Sequence, residues 1–178
     1  MILGWAHLLI LAVALQRLLE LFYAQRNSRA LIARGGREVG AEHYPLFVVL
    51  HLSWLVAIAV LTAPAPPLNI GLLAVFAALQ LARVWVIWSL GPYWTTRIIT
   101  FDEEPLVRRG PYRIVRHPNY LIVAFEVPVL PLALGLPAVA LVFGALNLAL
   151  LAYRIRIEDQ TLDPRRRMIS SEASQNSP

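Results

Sequence analysis

Residues 106–120 read LVRRGPYRIVRHPNY, a segment with four arginines, one histidine, two prolines and two tyrosines. Gly110-Pro111 is a turn signal, and Pro118 suits the first turn of a helix, where its missing N–H costs nothing. The free amides at such a helix start, with Arg113 and Arg116 beside them, make a rim that favours anions. Tyr112 and Tyr120 offer aromatic faces, which can stack on a heteroaromatic base or attract a sulfonium through cation–π interaction. The alternative is an interfacial loop, its arginines on lipid phosphates and its tyrosines among the headgroups. Other chemistries are closed. The chain has no cysteine, so disulfides, thiolate metal sites and thiol nucleophiles are excluded. His7, His43, His51 and His117 never fall into ligand spacing with a carboxylate, so no metal site is expected.

The surrounding elements must place this segment at a membrane. Hydrophobic residues make up 58% of the 178 positions and charged residues 15%, a balance far from that of a soluble domain. Five apolar stretches stand out, at residues 2–23, 44–62, 68–90, 120–134 and 137–153. A crossing helix needs about 20 mainly apolar residues. The fourth stretch is short, and Pro128 and Pro131 predict a kink there, tolerable where neighbours re-satisfy the backbone. The first has no basic leader and no small-residue cleavage site, so it reads as a retained helix. The fold class expected is an all-α integral membrane protein of about five transmembrane helices. One domain covers residues 1–162, and a polar tail at 163–178 is expected to be disordered.

All 16 basic residues are arginines. They gather after the first stretch (Arg26, Arg29, Arg34, Arg37), after the third (Arg97, Arg108, Arg109, Arg113, Arg116) and after the fifth. The connections APAPP and LGLP carry none. The positive-inside rule therefore predicts that the arginine-bearing segments face the cytoplasm of a bacterial inner membrane, with the N-terminus outside. Basic residues clustered between apolar runs do not form a nucleic-acid footprint; the expected partners are membrane lipids and a lipophilic substrate.

Five side chains sit uneasily inside the predicted spans: Arg17, Glu20, His51, Arg83 and Glu126. A charged residue at bilayer depth costs about 2.5–3.5 kcal/mol unless paired or wetted. Arg17 and Glu20, three apart on one face, are expected to neutralise each other. His51 reads as a hydrogen-bonded packing residue. Arg83 either snorkels or pairs with Glu126, and Glu126 is either that buried partner or a base facing the polar segment.

The segment LVRRGPYRIVRHPNY together with RIRIEDQTL (residues 154–162) resembles the isoprenylcysteine carboxyl methyltransferase family of membrane enzymes. That family carries L-V-x-x-G-x-Y-x-x-x-R-H-P-x-Y before a helical hairpin and R-x-x-x-E-[ED] on the helix that emerges. The resemblance covers about residues 94–162. It implies an S-adenosylmethionine-dependent methyltransferase built from membrane helices, and no G-x-G-x-x-G follows a strand here. It implies cofactor binding by Glu104, Pro105, Leu106 and Val107 as an entry wall. Tyr112, His117, Pro118, Asn119 and Tyr120 would form the body of the site, with Arg116 leading into that helix and Glu158 as a polar contact. Arg154 would face the acceptor. There are departures: Leu121 stands where the family has glycine, and the G-E-x-Y segment of eukaryotic members is missing. The run beginning WTTRII is more similar to bacterial relatives that O-methylate long-chain alkylpyrones or alkylresorcinols.

The expected reaction is methyl transfer to an oxygen of a lipophilic acceptor. A carboxylate or acidic enol would need only orientation, by Arg154 or Arg97. A phenol would need a base, for which Glu126 is the candidate. Two other classes stay open. A sterol-type NADPH reductase shares a similar C-terminal fold and an R-H-x-N-Y motif, although such chains are much longer. A non-catalytic scaffold or small transporter would need paired repeats, which the sequence does not show.

Overall fold

The computed structural model describes residues 4–101, 107 and 109–175, with side chains described as far as Thr161. Hydrocarbon offers a backbone no water to bond, so long apolar runs must satisfy their own amides as helices. Five helices result: α1 (Trp5–Ala33), α2 (Tyr44–Leu61), α3 (Ile70–Leu90), α4 (Pro118–Ala133) and α5 (Pro137–Gln175). Four stretches, Trp5–Ala33, Ala41–Leu61, Ile70–Tyr93 and Pro137–Thr161, are long and apolar enough to cross a membrane. The 16-residue α4 is shorter. Leu11, Val60, Leu81, Trp88 and Leu141 point outward and exposed, the surface of a protein whose surroundings are lipid. The chain is an all-α integral membrane protein.

The core joins Ala6, Ile10 and Val13 of α1, Trp54 and Ile58 of α2, Val123, Val127 and Leu130 of α4, and Leu151 of α5. A polar stitch in this core answers the proline question for Pro131. Pro131 has no N–H to give the carbonyl four residues earlier, Val127. The indole Nε1 of Trp54 donates to that carbonyl at 3.0 Å, so it is re-satisfied by a neighbouring helix.

Three features depart from the sequence expectations. Helix α1 continues past residue 23 to Ala33. Its last turns bury Ala24, Asn27, Ser28 and Leu31, a spacing of three to four that makes one inward face. Asn27 anchors that face, with Nδ2 donating to the carbonyls of Trp94 at 2.9 Å and Gly91 at 3.2 Å. Helix α5 carries its backbone on to Gln175, past residue 153 where the apolar stretch ends. Extending a formed helix costs only propagation, and Arg165 to Met168 are good helix formers. Finally, β1 (Arg37–Val39) and β2 (Ile98–Thr100) pair antiparallel, with Arg37 opposite Thr100 and Val39 opposite Ile98. The ribbon brings the first and third arginine-bearing connections to the same end of the bundle. At the α1 start, Gly4 packs so closely on Pro64 that an added Cβ would overlap the Pro64 carbonyl.

Candidate active site

The site begins with a glycine. Gly110 has φ 53°, and a Cβ there would lie 2.2 Å from Ser89 Oγ. Only glycine lets the 3-10 turn Gly110–Arg113 press against the end of α3, which holds Tyr112 against the buried cluster of Val86, Trp94 and Ile122. Pro118 then opens α4, buried at its first turn. The His117 ring stacks on Tyr120, centroids 5.3 Å apart and planes 10° from parallel.

Tyr120 is the hinge of a polar relay between α4 and α5. Its hydroxyl donates to Glu158 and accepts from Arg154 Nε at 2.8 Å. Arg154 Nη2 donates to the Thr96 carbonyl at 2.8 Å, and its guanidinium lies 5.3 Å from the Phe47 ring centroid and 5.7 Å from that of Tyr120. His117 Nε2 meets Asp159 Oδ1 at 3.0 Å and Nδ1 lies 3.6 Å from Glu158 Oε1. The four-residue spacing of Arg154 and Glu158 puts both on the α5 face that meets α4. Arg154 is 7% exposed, a cation held by three elements at once.

This relay forms part of the wall of a cavity of about 1200 Å³, more than the roughly 300–1,000 Å³ of an ordinary small-molecule site. The polar mouth is lined by Arg113, Arg116, His117, Asn119 and Glu158, and the cavity runs on to apolar Ala14, Leu52 and Leu55. Leu18 of α1 and Val48 and Leu52 of α2 line it while also facing outward. The wall between α1 and α2 is therefore thin on its lipid side. Of the five side-chain polar atoms buried without a partner among the described residues, two, Asn119 Oδ1 and Trp94 Nε1, belong to residues that line this cavity.

Of the residues named from the sequence, Val107, Tyr112, Arg116, His117, Asn119, Tyr120, Arg154, Glu158 and Arg97 all border the cavity. Pro118 sits behind them. Glu104, Pro105 and Leu106 lie outside the described residues. Arg97 is less committed than Arg154: it is 40% exposed, pairs with Glu38 at 2.8 Å and lies over the Tyr44 ring. Its charge is already matched. Trp94, Tyr44 and Phe47 also line the cavity and carry no sequence signal, because an aromatic residue on or just beyond an apolar helix reads the same in a cavity wall as on a lipid-facing surface.

Glu126 is not placed as a base. It is 2% exposed and is not part of the cavity wall. Arg17 donates to it, as do Gln80 Nε2 at 2.6 Å and Arg83 Nη1 at 3.3 Å. Glu20 accepts from Arg17 Nη1 at 2.8 Å, Arg83 Nε at 2.8 Å and Gln16 Nε2 at 3.0 Å. The expected Arg17–Glu20 pair is thus half of a larger cluster, two arginines against two glutamates, tying α1, α3 and α4 together in the membrane. A carboxylate whose lone pairs serve two guanidiniums and an amide has little left for a substrate proton.

His117 lies outside the spans, and its pKa is raised, first by its close polar contact with Glu158 and further by that charge and by Asp159, against a smaller opposing effect of burial. Burial, reinforced by Glu158, pushes the Tyr112 phenol up. A histidine raised in the folded state stabilises fully below its unfolded value near 6.5 and loses that contribution as pH climbs through the folded value. Thermal unfolding in detergent, followed upward from about pH 6.5, should show the midpoint falling. In His117→Gln the same series should be flatter; an equal slope would detach His117 from the relay.

The isoprenylcysteine carboxyl methyltransferase (ICMT) family model matches residues 71–164. An uncharacterized protein of Bacillus subtilis (strain 168), YpbQ, is 34% identical over 159 residues, covering 87% of this chain and 95% of that protein. An uncharacterized protein of Haemophilus influenzae is 30% identical over 158 residues, covering 82% of this chain and 88% of its own length. No solved structure matches the chain.

Proposed function

The chain belongs to the isoprenylcysteine carboxyl methyltransferase family, and from that membership we propose that it transfers a methyl group from S-adenosylmethionine to an oxygen of a lipophilic acceptor. The observation that carries this reading is the half-buried Arg154–Tyr120–Glu158 relay, set where the polar mouth of the cavity gives way to its apolar length. The residues fit the cofactor. Asn119 Oδ1 is a sealed acceptor in want of a donor and Trp94 Nε1 a sealed donor in want of an acceptor. Tyr112 and Tyr120 supply ring faces, and Glu158 supplies negative charge for a cation.

When bound, S-adenosylmethionine supplies a methyl group activated on a positively charged sulfur. Everything else falls to the chain. Tyr120 and His117 hold the Glu158 carboxylate in place, and Asn119 Oδ1 would accept an amino hydrogen of the cofactor. Arg154, fixed by Tyr120 and the Thr96 carbonyl, would orient an electron-rich oxygen of the acceptor for in-line attack. The apolar walls exclude water, so these charges act at low dielectric. The acceptor enters from the bilayer between α1 and α2, and the cofactor enters through the arginine-rimmed mouth. The positive-inside rule supports a mouth that faces the cytoplasm of a bacterial inner membrane, with the N-terminus outside.

Purified protein incubated with methyl-labelled S-adenosylmethionine and a membrane lipid extract should yield a labelled product whose methyl sits on oxygen. A label on a phospholipid amine would overturn the oxygen assignment. No S-adenosylhomocysteine binding at all would overturn the methyltransferase.

A further inference from the structure

We infer a second binding station in the same cavity, at bilayer depth, where His51 accepts a hydrogen bond from an uncharged hydroxyl of an amphiphilic ligand. His51 lies seven residues beyond Tyr44 on α2, about 10 Å further along the helix axis. One turn separates it from Phe47, whose ring it stacks on at 6.5 Å, and its edge meets Trp54 at 6.4 Å. Its Nδ1 lies 2.8 Å from the Phe47 carbonyl. A carbonyl oxygen can only accept, so Nδ1 carries the hydrogen and Nε2 of the neutral ring keeps a lone pair. His51 lines the cavity, and Nε2 is neither sealed nor matched by any partner among the described residues. The neighbouring polar group is different: the Trp54 indole is already committed to the Val127 carbonyl.

The rest of the floor decides what Nε2 can take. Arg17, Glu20 and Arg83 also line the cavity, but their charges are matched, with Glu126 behind them completing two arginines against two glutamates. A carboxylate would meet guanidiniums already neutralised and a lone pair that repels it. A bare alkyl chain would leave Nε2 desolvated and unpaired, at the cost of a hydrogen bond. A hydroxyl satisfies it without bringing a charge into the membrane, and its oxygen can still accept from the partly exposed Arg17. The station therefore selects an amphiphile with an O–H group about one helical turn deeper than the Arg154 guanidinium, which lies over Phe47. Identifying that amphiphile with the methyl acceptor rests on the function proposed above; the station itself does not.

The test is calorimetry on cofactor-free protein in lipid nanodiscs with three probes of equal chain length: dodecylphenol, dodecylbenzene and dodecanoate. Dodecylphenol should bind about tenfold tighter than dodecylbenzene, the value of one net hydrogen bond, and dodecanoate no tighter than dodecylbenzene. His51→Phe, which keeps the ring contacts, should erase the phenol preference and leave dodecylbenzene unchanged, and His51→Gln, which restores an acceptor, should recover part of it. Equal binding of phenol and benzene to the native protein overturns the inference without any variant, and a preference that survives in His51→Phe overturns it as well. S-adenosylhomocysteine titrated into the same samples reports separately: a phenol preference without S-adenosylhomocysteine binding keeps the station and removes methyl transfer.

Discussion

Glu158→Gln is expected to lower the affinity for S-adenosylhomocysteine by about 10- to 100-fold, since a hydrogen bond to a charged group is worth about 1.5–3 kcal/mol. Glutamine keeps the size of the side chain and can still accept from Tyr120. What it loses is the negative charge that faces His117 at 3.6 Å and the open cavity. The effect should therefore show in binding more than in thermal stability, because α4 and α5 also pack through Val123, Val127 and Leu151. Tyr120→Phe should give a smaller loss, as it unties Glu158 and Arg154 without removing either. Arg97→Gln serves as the control: its partner is Glu38 on β1 rather than the relay, and an exposed pair contributes about 0–1 kcal/mol. Native-like S-adenosylhomocysteine affinity in Glu158→Gln would take the cofactor away from this end of the cavity.

Glu126→Ala is expected to cost about 3–5 kcal/mol of stability, read as a lowered unfolding midpoint in detergent. The substitution leaves partly exposed Arg17 and buried Arg83 opposite Glu20 alone, two cations against one anion, inside a helical bundle. Replacing both Glu126 and Arg83 by methionine should recover most of that loss, because Arg17 and Glu20 then balance and removing a whole buried pair is often neutral. The milder Glu126→Gln separates structure from chemistry. Removing a general base lowers turnover by about 10²–10⁴-fold, whereas a carboxylate that only holds arginines leaves the folded fraction turning over at close to the native rate. A collapse of turnover in folded Glu126→Gln would restore Glu126 as the base.

Much of this protein is legible along the chain, for a physical reason. A bilayer accepts only backbones that bond to themselves, so the lengths of the apolar runs specify the helices, and uncharged APAPP and LGLP against arginine-bearing connections specify which ends lie together. The starts of α2 and α5 fall at the expected Tyr44 and Pro137, α3 begins two residues past the expected 68, and Pro118 opens α4 as its missing N–H allows. The wall of the site was legible too, because Tyr112, His117, Asn119 and Tyr120 lie within nine consecutive positions and Arg154 and Glu158 within one helical turn; their grouping is local.

What the sequence could not decide is what depends on helix faces meeting. Arg17, Glu20, Arg83 and Glu126 could pair in several ways, and only the relative rotation of α1, α3 and α4 joins all four into one neutral cluster and turns Glu126 away from the cavity. The three-residue strands β1 and β2 are too short to leave a period, so their pairing exists only once α1 has been carried on to Ala33. The same holds for two residues of α2. Trp54 and His51 are both polar-tipped rings on an apolar helix; packing against α4 gives Trp54 the carbonyl that Pro131 left free, and the space between α1 and α2 leaves the Nε2 of His51 open. Length, charge and spacing act along the chain and determined the bundle and the wall that carries the motif. Which polar atom ends up matched and which is left to bind a ligand is a property of surfaces brought together, and only the tertiary structure decides it.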